Sequence, residues 1–243
     1  DERYIGVLQH STGAARASSR FRSTHDISLV SDNLFFYDKE FGKHEINVVA
    51  GVSAQKENTF NTEVTGIGYQ FDYIETLNAA TIISNATSFE VDRRMLSFLG
   101  RVNYAYDSKY LLSLSMRRDG SSVFGPDKKY GNFPAASIGW NASREEFLKD
   151  SDVLSNLKFR FSYGVTGTDA IDEYKYLALL ATSSAVVNGG VTTAFNPSNI
   201  ANADLQWERS VEWNPGVDFG FLNNRISGSF DYYNRTSDNL LLF

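Results

Sequence analysis

Leu157-Lys158-Phe159-Arg160-Phe161-Ser162-Tyr163-Gly164-Val165-Thr166 is the stretch that decides the fold. Its odd positions are apolar or aromatic, and its even positions are charged, hydroxylated or glycine. A repeat of two sorts side chains onto the two faces of a strand, which a helical repeat of 3.6 cannot do. Moving outward, Val211, Trp213, Pro215, Val217 and Phe219 alternate with Glu212, Asn214, Gly216, Asp218 and Gly220. From Arg225, Ile226, Gly228, Phe230 and Tyr232 alternate with Ser227, Ser229, Asp231 and Tyr233. Upstream the rhythm is weaker. It runs through Ile46 to Val52, Val102 to Tyr106, Tyr110 to Met116 and Ala136 to Trp140, with Val49 and Leu99 breaking the polar side. About eight strands are expected from near residue 33 to residue 236, with residues 13–19 read as a small, polar loop.

The links between these strands carry as much information as the strands. Residues 38–43, 107–109 and 221–224 are short, 144–155 moderate, and 56–92, 119–132 and 167–206 longer. Short and long links alternate, so an antiparallel meander collects the short ones at one end and the long ones at the other. Barrels of outer membranes have this asymmetry, with short periplasmic turns and long extracellular loops. Within the moderate link, Ser143-Arg144-Glu145-Glu146 fits a capping box, Ser143 capping one or two helical turns and Glu146 reaching back. Aromatic residues gather near strand ends, as Tyr37 with Phe41, Tyr104 with Tyr106 and Tyr110, and Phe219 with Phe221. Rings favour the boundary between headgroups and hydrocarbon.

Composition narrows the function. Net charge is −6, which disfavours nucleic acid as the partner. The absence of Cys removes disulfides, thiolate metal sites and Cys nucleophiles. Charge-free Tyr176 to Ala203 is broken by Thr182-Ser183-Ser184 and Asn188-Gly189-Gly190. It lacks the ~18 consecutive apolar residues of a spanning helix, so any membrane contact must be made by strands. His10, His25 and His44 have no metal spacing, and no cofactor motif is complete. Gly51-Val52-Ser53-Ala54-Gln55 lacks the last Gly of a nucleophile elbow and sits in a strand. No Ser/His/Asp or paired-carboxylate constellation is evident, so an enzyme is not expected.

Three stretches give the chain a resemblance to the barrel of SusC/RagA-type TonB-dependent receptors. The first is Phe41-Gly42-Lys43-His44-Glu45-Ile46-Asn47-Val48-Val49-Ala50-Gly51. The second runs from Gly100-Arg101-Val102-Asn103-Tyr104 through Arg117-Arg118-Asp119-Gly120-Ser121-Ser122 to Phe133-Pro134 and Gly139-Trp140. The third is Leu157 to Gly167, followed by Leu205-Gln206-Trp207-Glu208 and Asn223-Asn224-Arg225-Ile226-Ser227-Gly228. The resemblance implies an all-β, antiparallel transmembrane β-barrel, with residues 1–243 forming part of a barrel domain of 22 strands whose lumen holds a plug. No plug domain and no signal peptide are read in the chain itself. The resemblance further implies the bacterial outer membrane, import of glycans or peptides, energy from TonB, and a SusD-like lipoprotein over the extracellular mouth.

Arg118, Asp119 and Trp207 are the candidate contacts for ligand or partner, since an arginine at a loop base can bind sugar hydroxyls or a carboxylate and an indole can stack on a sugar. Each also has a structural reading. Asp119-Gly120 makes a turn, the arginines pair with carboxylates, and Trp207 anchors a strand end. Arg101, Lys158, Arg160, Glu212, Asp218 and Asp231 share the polar face and would point into the lumen. The alternative to a transporter is a soluble all-β carbohydrate-binding module, which would share the alternation but not the one-sided link lengths.

Overall fold

In the computed structural model, residues 2–5, 17–70 and 73–241 are described. The strands are β1 (Glu2–Ile5), β2 (Ser18–Phe41), β3 (His44–Ile67), β4 (Ile82–Tyr106), β5 (Tyr110–Ser121) and β6 (Tyr130–Asn141). They continue with β7 (Leu154–Thr168), β8 (Leu180–Val187), β9 (Gly190–Pro197), β10 (Glu208–Phe221), β11 (Ile226–Asp231) and β12 (Asn234–Asp238). Ten of them form one antiparallel sheet in the order β1-β2-β3-β4-β5-β6-β7-β10-β11, with β12 also on β10. β8 and β9 form a separate hairpin. The order is a meander with two open ends.

The eight expected strands are all present, and four features were not anticipated. β2 begins at Ser18, so the polar segment read as loop is partly strand; residues 13–16 of it lie outside the described residues. The long link read over 56–92 is mostly strand, because β3 runs to Ile67 and β4 starts at Ile82. The long link read over 167–206 contains the β8–β9 hairpin. Finally, the last strand is split into β11 and β12. β11 pairs with Gly216–Phe221 and β12 with Arg209–Trp213, and Pro215 lies between them. Its carbonyl accepts from Tyr232 N–H at 3.0 Å, but it has no N–H to return on that side, so the ladder stops there.

Two compact units are resolved. The first comprises residues 1–29 and 56–93, and the second residues 30–55 and 94–243. In the first, side chains of adjacent strands pair by polar contacts. Arg22 donates to Glu63 at 2.9 Å, Asn58 to Glu90 at 2.7 Å, Thr59 to Asp26 at 2.7 Å and Asn61 to Thr24 at 2.8 Å. In the second, register sorts the faces as the alternation expects. Val102, Leu114, Ala136, Tyr163 and Trp213 fall on one row, and Tyr104, Leu112, Ile138 and Phe161 on the next. Most of this apolar face is uncovered, Ile138 being 57% exposed, Leu114 48% and Phe159 44%. The opposite face carries Ser113, Ser137, Ser162, Lys158, Arg160 and Asp218.

Short turns close one end of the second unit. Asp107 and Ser108 both take left-handed backbone (φ 54 and 50), the geometry that matches the twist of a two-residue hairpin. Gly42 (φ +60) supplies the same at the β2–β3 turn. The β6–β7 link departs from the expected capping box. A single 3-10 turn spans Ala142–Arg144 behind Asn141, without a side-chain cap. Glu146 pairs with Lys149 instead of reaching back.

Candidate functional site

The polar face of the second unit is organised around Arg160. Its guanidinium is held in a fork, Nε and Nη2 each donating to Asp218 at 2.8 Å, while Nη2 also reaches Asp231 at 3.2 Å. These three residues come from β7, β10 and β11, so one arginine ties three strands together on the face where each was expected. Arg235 pairs with Glu212 at 3.0 Å on the same side. Asn103 extends the pattern by donating to Asn47 and accepting from Ser113.

Toward the long-link end, the pairing of β6 with β7 stops at Ala135 and Gly164 although both strands continue. An aromatic cluster occupies that region: Val123 and Phe124 from the β5–β6 link, Phe133, Val165, and Trp207. Trp207 is 5% exposed, donates its indole N–H to the Lys129 carbonyl at 2.8 Å, and packs at 5.3 Å against both Phe124 and Phe133. The Phe133 ring lies so close over Gly167 that a Cβ there would meet it at 2.2 Å. Beneath the cluster is a recess of about 640 Å³ lined by Arg101, Arg117, Asp119, Asp169, Thr166 and Trp207, among others.

The three sequence candidates therefore do not converge. Asp119 is buried and accepts from Arg117 Nε at 2.7 Å to both oxygens, and it shares the recess with Trp207. Arg118 directly precedes Asp119, and alternation places it on the apolar face with Leu114 and Met116. There it stacks on the ring of Tyr130, 4.9 Å from the centroid. The expected pairing of arginine with carboxylate holds for Arg117 and not for Arg118, because successive residues point to opposite faces. The Arg160 fork could not be read from spacing, since its partners lie 58 and 71 residues away. Among the described residues no cluster of His, Asp or Glu could hold a metal.

The short-turn end has its own network, centred on Glu145. Its carboxylate accepts from the Tyr110 hydroxyl at 2.6 Å, Trp140 Nε1 at 3.2 Å and Lys109 Nζ at 3.2 Å. Those hydrogen bonds, the Tyr110 contact foremost, hold the Glu145 carboxyl below its ordinary range. Asp107 is lowered chiefly by its hydrogen bond from Lys43 at 2.8 Å, and Lys43 is correspondingly raised. On the apolar face at the same end, Phe41 stacks on His44 at 4.9 Å, and His44 meets Tyr106 at 5.0 Å and hydrogen-bonds Tyr104 at 2.8 Å. Trp140 stacks on Phe159 at 5.6 Å and Phe219 meets Phe221 at 5.8 Å. The aromatic residues expected at strand ends thus form a continuous group of contacts there only in part, as rows on neighbouring strands.

An antiparallel meander with one uncovered apolar face, a polar face tied by partly exposed ion pairs, and aromatic rows beside its short turns defines a class: the wall of a transmembrane β-barrel. Residues 3–243 match the family model described as TonB dependent receptor-like, beta-barrel, and the chain belongs to that family. TonB-dependent receptor P3 of Formosa agariphila is 35% identical over 238 residues, which are 97% of this chain and 24% of that relative. TonB-dependent receptor SusC of Bacteroides thetaiotaomicron is 35% identical over 209 residues, 84% of this chain and 20% of the relative. Among solved structures, that of the RagAB peptide transporter superposes with a TM-score of 0.87 at 25% identity, covering 99% of this chain and 27% of that one. The chain therefore spans about a quarter or less of the length of the relatives it matches. The relatives carry receptor and transporter names rather than those of enzymes.

Proposed function

We propose that residues 1–243 are part of the barrel domain of a bacterial outer-membrane transporter that imports glycans or peptides, driven through TonB and capped outside by a SusD-like lipoprotein. The observation that carries this reading is the uncovered apolar face of β4 to β10. In water a contiguous apolar face of this kind is a liability, whereas in a bilayer it is the required exterior. The same face argues against the soluble carbohydrate-binding module, which would have to bury it. The open edges, at β2 beyond its short pairing with β1 and at β11 with β12, support the same conclusion. Unpaired backbone groups are not tolerated in hydrocarbon, so in the membrane other strands must cover both edges.

In this reading Arg160, Asp218, Asp231, Arg101 and Lys158 face the lumen. The links on the short-turn side are periplasmic, and those that follow β3, β5 and β7 are extracellular. Asp119 and Trp207, at the recess on the long-link side, are the positions proposed for partner or ligand contact. The peptide alternative is supported by the likeness to the RagAB peptide transporter, and the glycan alternative by the SusC-type sequence resemblance. Catalysis has no place in it.

Cells making the full-length protein, with and without TonB, should be offered labelled oligopeptides and oligosaccharides. Uptake of one class that disappears without TonB is the expected result. Equal uptake in the absence of TonB would overturn energised transport.

A further inference from the structure

Arg118 is the one sequence candidate that the register turns away from the lumen, and its surroundings suit a different ligand. On β5 the apolar face reads Tyr110, Leu112, Leu114, Met116, Arg118, and eight residues separate the first from the last. At ~3.4 Å per residue that is roughly 27 Å along the strand, or about 21 Å along the normal at a tilt near 40°. An outer-membrane barrel has an apolar band of about 25 Å. Tyr110 marks the short-turn boundary, so Arg118 stands at the opposite boundary, where headgroups of the external leaflet lie.

The local packing leaves the guanidinium available. Tyr130 is paired with Gly120, and its ring lies across that glycine so closely that a Cβ would sit 2.5 Å from it. Arg118 covers the ring at 4.9 Å. Its cross-strand neighbours are Asn132 and Phe98, neither of them charged. Every carboxylate pair involving the neighbouring arginine is made on the other face, and among the described residues Arg118 has no ion-pair partner. A stacked guanidinium keeps its N–H edges free in the ring plane's direction, which is how arginine binds a phosphate while resting on an aromatic face. A lipid-facing cation is tolerated at this level, toward the interface, where its charged end can reach headgroups.

We infer that Arg118, seated on Tyr130, is a binding site for the phosphate of an anionic lipid headgroup in the external leaflet. The inference rests on the proposed barrel reading, because it needs the apolar face to be the lipid face.

The test uses the full-length transporter in two kinds of vesicle, phosphatidylcholine alone and phosphatidylcholine mixed with phosphatidylglycerol. The readout is the temperature at which the folded barrel loses its heat-modifiable gel mobility. Phosphatidylglycerol should raise that temperature in the native protein. R118Q should lose half or more of the increment, and R118K should keep more of it than R118Q does. Inorganic phosphate added to phosphatidylcholine vesicles should give no increment. No increment in the native protein, an undiminished one in R118Q, or reproduction by inorganic phosphate would each overturn the inference. A spin label at L114C separates this failure from that of the barrel reading. A label relaxed by oxygen and not by an aqueous nickel chelate keeps the face in lipid, so that only the headgroup site would fall. A label reached by nickel would sink the barrel reading along with it.

Discussion

The two compact units share the three long strands β2, β3 and β4, yet they treat side chains differently. In residues 30–55 and 94–243, the ion pairs of Arg117 and Arg160 lie on one face, and the other is largely apolar and exposed. In residues 1–29 and 56–93, ion pairs such as Arg22–Glu63 and Lys56–Asp92 and hydrogen bonds such as that donated by the Asn58 amide to Glu90 join the strands, and apolar residues are scattered among them. Strand length explains why one strand can do both. A tilted strand needs about 9–11 residues to cross a bilayer, and β2, β3 and β4 have 24, 24 and 25. On the proposed barrel reading, residues beyond the hydrocarbon meet water on both sides, so nothing selects an apolar face there. The lesson is that solvent, not strand propensity, writes the alternation.

The sharpest way to break this comparison is to place a charge in each unit. Leu114→Arg should destabilise the folded barrel in lipid by about 2–4 kcal/mol, the range for a cation near the bilayer midplane. Phe60→Arg, also at an exposed apolar side chain but in the other unit, should stay within about 0.5 kcal/mol, as surface changes usually do. Denaturant titration of the two variants in vesicles would measure both. Similar losses would mean that the two units share one solvent.

A finer test stays on β10. Val217→Asp puts a carboxylate among Phe159 and Phe230 on the apolar face, whereas Asp218→Val removes one of two acids from Arg160 and leaves Asp231 in place. Val217→Asp should cost about 2 kcal/mol or more. Asp218→Val should cost about 1 kcal/mol, since the arginine is partly exposed and keeps a partner. Equal losses by the same titration would remove the distinction between the faces.

These faces were legible in the sequence wherever bilayer and lumen impose opposite demands, and illegible elsewhere. Lys56-Glu57-Asn58-Thr59-Phe60-Asn61-Thr62-Glu63 has no apolar side, so it read as loop although it is strand. The β8–β9 hairpin did leave a signal that periodicity passed over. Asn188-Gly189 between Val186-Val187 and Val191 is the strongest short-range hairpin cue, and both residues take the left-handed backbone it demands (φ 51 and 76). Of the candidate site, alternation fixed which residues face together. It was silent on which pair, because Arg160, Asp218 and Asp231 meet only through the sheet. It also placed Arg118 and Asp119 on opposite faces, a consequence the turn-like look of Arg-Asp-Gly concealed.

Within the water-exposed set, single ion pairs should matter least. Lys56→Gln and Asp92→Asn, singly or together, should each change stability by less than about 1 kcal/mol, because both side chains are solvated. A double-mutant cycle gives the coupling, and a value well above that range would show the pair to be shielded from water.

The smallest expected effect is local and depends on pH. Glu145 and Asp107 are held below their ordinary values by hydrogen bonds, from Tyr110 foremost in one case and from Lys43 in the other. A carboxylate lowered in the folded state contributes stability that is present above its unfolded pKa and lost as pH falls through the folded one. Unfolded Glu and Asp titrate near 4.3 and 3.9, so the loss should lie below about pH 4 and nothing should change between pH 5 and 7. Lys43 is raised by the same ionised Asp107, so the contribution of this pair is also lost at the alkaline end, as pH climbs past the ordinary lysine range. The readout is amide exchange at this end, corrected for intrinsic rates, at Asn141, whose N–H bonds the Lys109 carbonyl, and at Asp107, whose N–H bonds the Lys43 carbonyl. Protection of Asn141 should fall below about pH 4 in the native protein and should stay flat with pH in Glu145→Gln, which cannot titrate. Asp107 protection should still fall in that variant, because its own carboxylate and Lys43 are untouched. If Asn141 loses protection on the same pH curve in both proteins, Glu145 is not what ties the turns together.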